Sequence, residues 1–165
     1  MANKTTFSPD QWSKIIQAPL LAGFAISAAD PSGLIGTLQE GMASAKALAA
    51  AKSDPAADEL VKAVVDDLLT PEGRTSAREG VRLLIQGGKL PEIKVRALEE
   101  LRNTAKIIDS VAPLEAKPFK NWLTAIAALV AESGTEGGVL GFGGVKVSEA
   151  ERATLAEISG ALGVA

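Results

Sequence analysis

The chain has 165 residues, with 17 Lys and Arg against 20 Asp and Glu, a length that fits one domain with a hydrophobic core and is short for two. It contains no His, no Cys and no Tyr. These absences exclude Cys/His zinc sites, haem ligation, Ser-His-Asp and Cys-His nucleophile systems, and disulfides. The slight acidic excess argues against a general nucleic-acid binder, which would carry a basic surplus.

The composition predicts an all-α protein, because the chain has 29 Ala, the best helix former, and only 4% aromatic residues. We expect one domain over residues 1–165, a single compact bundle of about seven helices with a Gly-rich loop before the last helix. Residues 1–7 are predicted to be a flexible N-terminus. Because the chain lacks Cys and its first residues lack the layout of a signal peptide, we expect a cytoplasmic location.

Prolines divide the chain into predicted helices, because proline fits the first turn of a helix and disrupts its interior. Four of them directly follow a capping side chain, which is typical of a helix start. The predicted starts are, in chain order, Pro9, Pro31, Pro55, Pro71, Pro91, the stretch from Pro113 to Pro118, and Ser148 with its capping box. Pro19 lies inside a periodic apolar run and predicts a kink or a break.

Residues 15–45 stand apart because only two of these 31 positions, Asp30 and Glu40, are charged. We interpret this segment as a central, almost fully buried hairpin. Its uncharged run over 15–29 is shorter than the roughly 20 apolar residues of a membrane span. Membrane insertion after a conformational change and a self-association face remain the alternatives for this segment.

Three arginines, Arg74, Arg78 and Arg82, recur every four positions, so a helix would place them on one face. They follow an acidic stretch over 53–72. One interpretation is a solvated face that pairs with the neighbouring acidic helix. The other is a surface that binds an acidic partner or a phosphate-bearing ligand.

The most distinctive stretch is Gly-rich, with six of the 16 glycines within 134–144. It does not match a phosphate-binding loop, because Gly144 is followed by Val rather than by Lys. Its apolar residues predict either a loop that closes one end of the bundle or, if they are exposed, a partner-docking patch. The candidate interaction residues here are Val139, Leu140, Phe142 and Lys146.

Carboxylates are the only metal ligands that this composition leaves. The two candidate groups are Asp54 with Asp58 and Glu59, and Asp66 with Asp67. Neither follows the spacing of a calcium loop, and acidic residues near a helix start also complement its dipole. We therefore predict no metal site, no cofactor and no catalytic residues.

Two blocks resemble a family of small, uncharacterised bacterial proteins. They are 12–36, with Ala18-Pro19-Leu20-Leu21, and 119–151, with the Gly-rich stretch. More loosely, Ala28-Ala29-Asp30 at a helix end and Ser148-Glu149-Ala150-Glu151 before the last helix are similar to pieces of tellurite-resistance TerB-like helical domains. The alanine-aspartate-glycine turn of that family is here interrupted by Pro31 and Ser32 before Gly33.

Together these features predict a non-catalytic, cytoplasmic bacterial protein that acts through protein-protein contacts. Its partner is unknown, and a homo-oligomer is one option. Nucleic acid is not expected as a partner. The alternatives are a small-ligand or metal-binding stress-response protein of TerB-like type and a conditional membrane-associated protein.

Overall fold

The computed structural model describes residues 1–29, 46–133 and 147–164 of the chain. Within these ranges the chain forms seven α-helices and no strand, preceded by a short 3-10 helix at Lys4–Thr6. The helices are α1 (Pro9–Ser27), α2 (described over 46–53), α3 (Glu59–Leu69), α4 (Pro71–Ile85), α5 (Leu90–Val111), α6 (Pro113–Ser133) and α7 (Glu149–Leu162). The predicted all-α bundle is confirmed.

Helix α1 lies at the centre of the bundle, where it contacts α3, α4, α5, α6 and α7. Its side chains Ile15, Leu21 and Ile26 are almost completely buried. The first half of the predicted central hairpin is therefore buried as expected, and its second half, 30–45, lies outside the described residues. The other large core side chains are Leu60, Val64, Leu101, Ile108, Phe119, Leu123, Ile126, Ile158 and Leu162.

A kink or a break was predicted at Pro19. The break does not occur, since α1 continues through this residue to Ser27. Proline lacks the N–H that would complete one hydrogen bond of the helix. Pro19 and its neighbour Ala18 are buried. Contacts with five surrounding helices hold α1 together where its own hydrogen bonding is incomplete.

Three predicted helix starts are confirmed by their caps. The Ser8 and Ser148 side chains each accept a backbone N–H of the first turn within a capping box, and Thr70 accepts the N–H of Gly73 at 3.0 Å. The proline starts of α5 and α6 also occur, at Leu90 and Pro113. The start predicted at Pro31 lies outside the described residues.

The start predicted at Pro55 is wrong. The backbone N–H of Asp54 bonds to the carbonyl of Ala50, so Asp54 closes α2 instead of opening a new helix. Its side chain accepts the N–H of Ala56 at 2.8 Å and forms a turn. Helix α3 begins at Glu59, capped by Asp58.

Residues 1–7, predicted as a flexible N-terminus, make defined contacts with the bundle. The side chains of Ala2 and Phe7 are buried. The backbone N–H of Ala2 donates to Oε1 of Glu115 at 2.9 Å, and the Lys4 ammonium pairs with Asp67 at 3.0 Å. This segment therefore connects the starts of α1 and α6 to the end of α3.

Candidate functional site

The three arginines lie on α4 with exposed side chains, as their spacing predicts. Arg82 pairs with Glu79 of the same helix at 2.9 Å, and Arg74 reaches the carbonyl of Leu69 at 3.4 Å. Within the part of the chain that the structure describes, none of the three forms an ion pair with the acidic residues of α3. The pairing of the arginine face with the acidic helix is therefore not found among the described residues, because Glu59, Asp66 and Asp67 of α3 each pair with a lysine. A role in binding an acidic partner stays a prediction.

The second predicted interaction surface is the Gly-rich stretch before α7. Val139, Leu140, Phe142 and Lys146 lie outside the described residues, which stop at 133 and resume at 147. The prediction that they close the bundle or dock a partner therefore stays a prediction.

An apolar groove of about 330 Å³ lies between α2, the turn that follows it, α3 and α6. Helix α6 forms one wall with residues four or three positions apart, which places them on one face. These wall residues are Pro118, Trp122, Ala125, Ile126 and Leu129. The opposite wall is formed by Ala47, Ala50, Ala51, Ala57 and Val61, with Asp54 and Asp58 at its edge.

The α2 side of the groove is lined mainly by alanines, and the α6 side carries the large side chains of Trp122 and Leu129. Leu129 is 43% exposed, so it presents apolar surface to solvent at one end of the groove. Trp122 packs its ring against Phe119, with ring centroids 5.5 Å apart. Its indole Nε1 is buried and finds no acceptor among the described residues.

The two carboxylates at the groove edge are fixed by local backbone contacts. Oδ1 of Asp54 accepts the N–H of Ala56, and Oδ1 of Asp58 accepts the N–H of Leu60. Neither carboxylate has a cationic partner within the described ranges. The nearby Lys62 ammonium instead pairs with Glu59 at 3.3 Å. The edge of the groove therefore retains negative charge.

A second cavity of about 300 Å³ lies where the N-terminal segment crosses the junction of α3 and α4. Its apolar lining includes Phe7, Trp12 and Ile16, and its charged lining includes Lys4, Asp67 and Glu72. Trp12 Nε1 donates to Oδ2 of Asp67 at 2.6 Å. We call this cavity the N-terminal cleft.

Neither cavity carries a recognisable metal centre. Over the described ranges, no group of three or more Asp or Glu is arranged to hold a metal ion. In the same ranges, no helix combines the length and the apolar character needed to cross a membrane. The candidate carboxylates Asp54 and Asp58 act as caps of a turn and of a helix.

The groove residues were not predicted as a site. The spacing of Phe119, Trp122 and Ile126 predicts a core-facing stripe, and Phe119 and Ile126 are indeed buried. Trp122 is half-buried and forms part of the groove wall. The alanines that complete the groove lie on a helix distant in the sequence. The spacing of residues within α6 therefore gives no local signal of a groove.

Comparisons with protein-family models, with curated proteins and with solved structures found no match to this chain.

Proposed function

We propose that this is a non-catalytic protein that works by binding an apolar, basic helical segment of a partner protein. The observation that carries the proposal is the groove between α2 and α6, which joins an apolar lining to two carboxylates that have no cationic partner among the described residues. The proposal places the protein in the bacterial cytoplasm, in keeping with a chain without Cys.

The dimensions of the groove fit a helical segment. Its α6 wall extends from Pro118 to Leu129, which corresponds to roughly 16 Å or three helical turns. The facing wall is mostly alanine, so the backbone of a bound helix can approach closely. An amphipathic helix with apolar residues three and four positions apart would bury Leu129 and the exposed edge of Trp122.

The charge of the groove edge selects a basic segment. The carboxylates of Asp54 and Asp58 each keep one oxygen, Oδ2, without a hydrogen-bond partner among the described residues. A Lys or Arg beside the apolar face of the bound helix would meet these oxygens. An acidic segment would meet uncompensated negative charge, so complementarity at this edge sets the choice of partner.

A designed peptide tests the proposal directly. The probe is a synthetic amphipathic helix with leucines on one face and lysines beside it, and its comparison is the same peptide with glutamates in place of the lysines. Binding is followed by NMR through the two indole N–H signals of Trp12 and Trp122. We expect the lysine peptide to shift the Trp122 signal saturably and the glutamate peptide to bind at least about tenfold more weakly.

Matched variants separate the groove from the rest of the surface. Ala125→Arg puts a large cation on the groove wall, and Ala153→Arg makes the same change at an exposed position of α7. We expect only Ala125→Arg to abolish binding. The double change Asp54→Asn with Asp58→Asn keeps both caps and should remove the preference for the lysine peptide.

Two results would overturn the proposal. One is equal binding of the lysine and glutamate peptides, which would mean that the edge charge selects nothing. The other is a dimer in solution that Ala125→Arg dissociates, because the occupant would then be a second copy of this chain. Native-cell affinity purification with wild type and Ala125→Arg in parallel would then identify which segment is lost with the groove.

A further inference from the structure

The N-terminal cleft holds a carboxylate that is largely removed from water. The Asp67 side chain is 13% exposed and lies at the end of α3. One of its two oxygens, Oδ2, accepts the indole N–H of Trp12 at 2.6 Å. A carboxylate in such surroundings needs a cation or further donors to offset its loss of hydration.

The cation that meets Asp67 belongs to an exposed side chain of the N-terminal segment. The ammonium of Lys4 lies 3.0 Å from Oδ1 and 3.2 Å from Oδ2. The Lys4 side chain is 64% exposed and belongs to a 3-10 helix of three residues. The Lys4 side chain reaches Asp67 from solvent, so a second cation can compete with it for this position.

The cleft also has room and charge for such a competitor. Its volume of about 300 Å³ is at the small end of the range for ligand pockets. Phe7, Trp12 and Ile16 supply apolar lining beside Asp67. The lining includes two carboxylates, Asp67 and Glu72, and one ammonium, that of Lys4. The net charge of the lining is therefore negative.

We infer that the N-terminal cleft is a binding site for a small primary alkylammonium. The ammonium of the ligand takes the place of Lys4 at the carboxylate of Asp67. Its alkyl chain lies against the apolar lining formed by Phe7, Trp12 and Ile16, and Glu72 adds attraction at the mouth of the cleft. Lys4 is then an internal competitor that moves to solvent when the ligand binds.

The test uses n-butylammonium chloride as the probe and the two indole N–H signals as readouts. Trp12 reports on the cleft because its N–H donates to Asp67, and Trp122 lies in the other cavity and serves as the internal reference. We expect a saturable shift of the Trp12 signal alone. Neither sodium chloride at the same ionic strength nor n-butanol, the neutral analogue, should reproduce it.

Two variants give the inference its sharpest outcomes. Lys4→Met removes the competing ammonium and keeps the length of the side chain, so n-butylammonium should bind up to about fivefold more tightly. Asp67→Asn keeps an acceptor for Trp12 and removes the charge, so affinity should fall at least about tenfold. Lys52→Met, which removes an exposed lysine paired with Asp66, is the matched control and should leave the affinity unchanged.

The inference is overturned if the Lys4→Met protein gives no saturable shift of the Trp12 signal. It is also overturned if butylammonium moves both tryptophan signals to the same degree as sodium chloride does. These outcomes are independent of the peptide experiments, because the groove is followed through Trp122 and its variants lie on α6 and beside α3. If Asp67→Asn does not fold, Lys4→Met decides the question, because this variant is expected to bind n-butylammonium more tightly rather than more weakly.

Discussion

The carboxylate of Asp67 and the indole of Trp12 are joined by a hydrogen bond of 2.6 Å that ties the start of α1 to the end of α3. The Trp12 side chain is almost completely buried, at 3% exposure. Hydrogen bonds to charged groups contribute about 1.5–3 kcal/mol, more than neutral ones. This contact is therefore a principal attachment of α3 to the central helix.

Trp12→Phe should lower the free energy of unfolding by at least about 1.5 kcal/mol, because it leaves the Asp67 carboxylate with Lys4 alone. Chemical denaturation measures the change. Since the smaller ring also loses packing, a double-mutant cycle with Asp67→Ala isolates the hydrogen bond. A coupling energy near zero in that cycle would show that the contact contributes nothing.

Gly73 should not tolerate even alanine. It is a buried residue of the first turn of α4, and a Cβ there would overlap the backbone carbonyl oxygen of Asp67. Because the obstacle is backbone, Gly73→Ala should destabilise the protein by about 1–3 kcal/mol. Gly160→Ala is the matched control, since that glycine lies within α7 with open space around it. This change should raise the free energy of unfolding by about 0.5–1 kcal/mol. Thermal unfolding of both variants gives the comparison, and a stable Gly73→Ala protein would refute the close approach.

Glu115 should make stability depend on pH in the acidic range. Burial raises the pKa of this carboxyl, but the backbone N–H of Ala2 and the amino terminus lower it, and the net result is below its ordinary value of 4.5. A lowered pKa in the folded state means that the contribution is complete above the unfolded value and is lost as the pH falls through the folded value.

Glu115→Gln tests this dependence because glutamine still accepts the Ala2 N–H and carries no charge. At neutral pH the variant should be less stable than wild type. The difference in unfolding free energy should shrink as the pH falls below about 4.5. A difference that stays constant down to the pH of acid unfolding would contradict the role of the carboxylate charge.

The ammonium of Lys120 is the most buried cation for which the structure describes an ion pair, with 8% of its side chain exposed, and both oxygens of Asp109 lie 2.6 Å from it. Removing only the acid leaves a buried charge without a partner, which is costly. Asp109→Ala should therefore destabilise the protein by about 1–3 kcal/mol. This is less than the loss expected for a fully buried ion pair, because the Asp109 side chain is 53% exposed.

Lys120→Met is the control for this pair, since it replaces the charge with an apolar chain of similar length. Lys120→Met should lower the free energy of unfolding by less than Asp109→Ala does. The double variant should be about as stable as Lys120→Met alone. Urea unfolding of the three variants decides the order. Equal costs for both single changes would indicate that the pair acts only through packing.

Much of the local architecture follows from neighbouring residues. Ser8, Thr70 and Ser148 cap helices as predicted, because a capping hydrogen bond joins residues only a few positions apart. The same local pattern failed at Asp54, which closes α2 and forms a turn. A capping side chain before proline is compatible with both outcomes, and only the path of the preceding helix distinguishes them.

The candidate sites depended on contacts that no local pattern contains. The arginine spacing placed Arg74, Arg78 and Arg82 on one exposed face but did not predict that Arg82 pairs within α4. The groove brings alanines from 47–57 to a tryptophan more than 60 positions later. The N-terminal cleft brings Lys4 to Asp67 across 63 positions.

Composition and local spacing are enough to predict the all-α class, most helix starts and the chemistries that a chain without His, Cys and Tyr cannot perform. These depend on composition, helical period and caps, which are properties of short stretches. Only the tertiary structure shows, among the described residues, which apolar side chains remain exposed and which carboxylates lack a cation. Both depend on how helices that are distant in the sequence pack against one another, and no short stretch of residues contains that information.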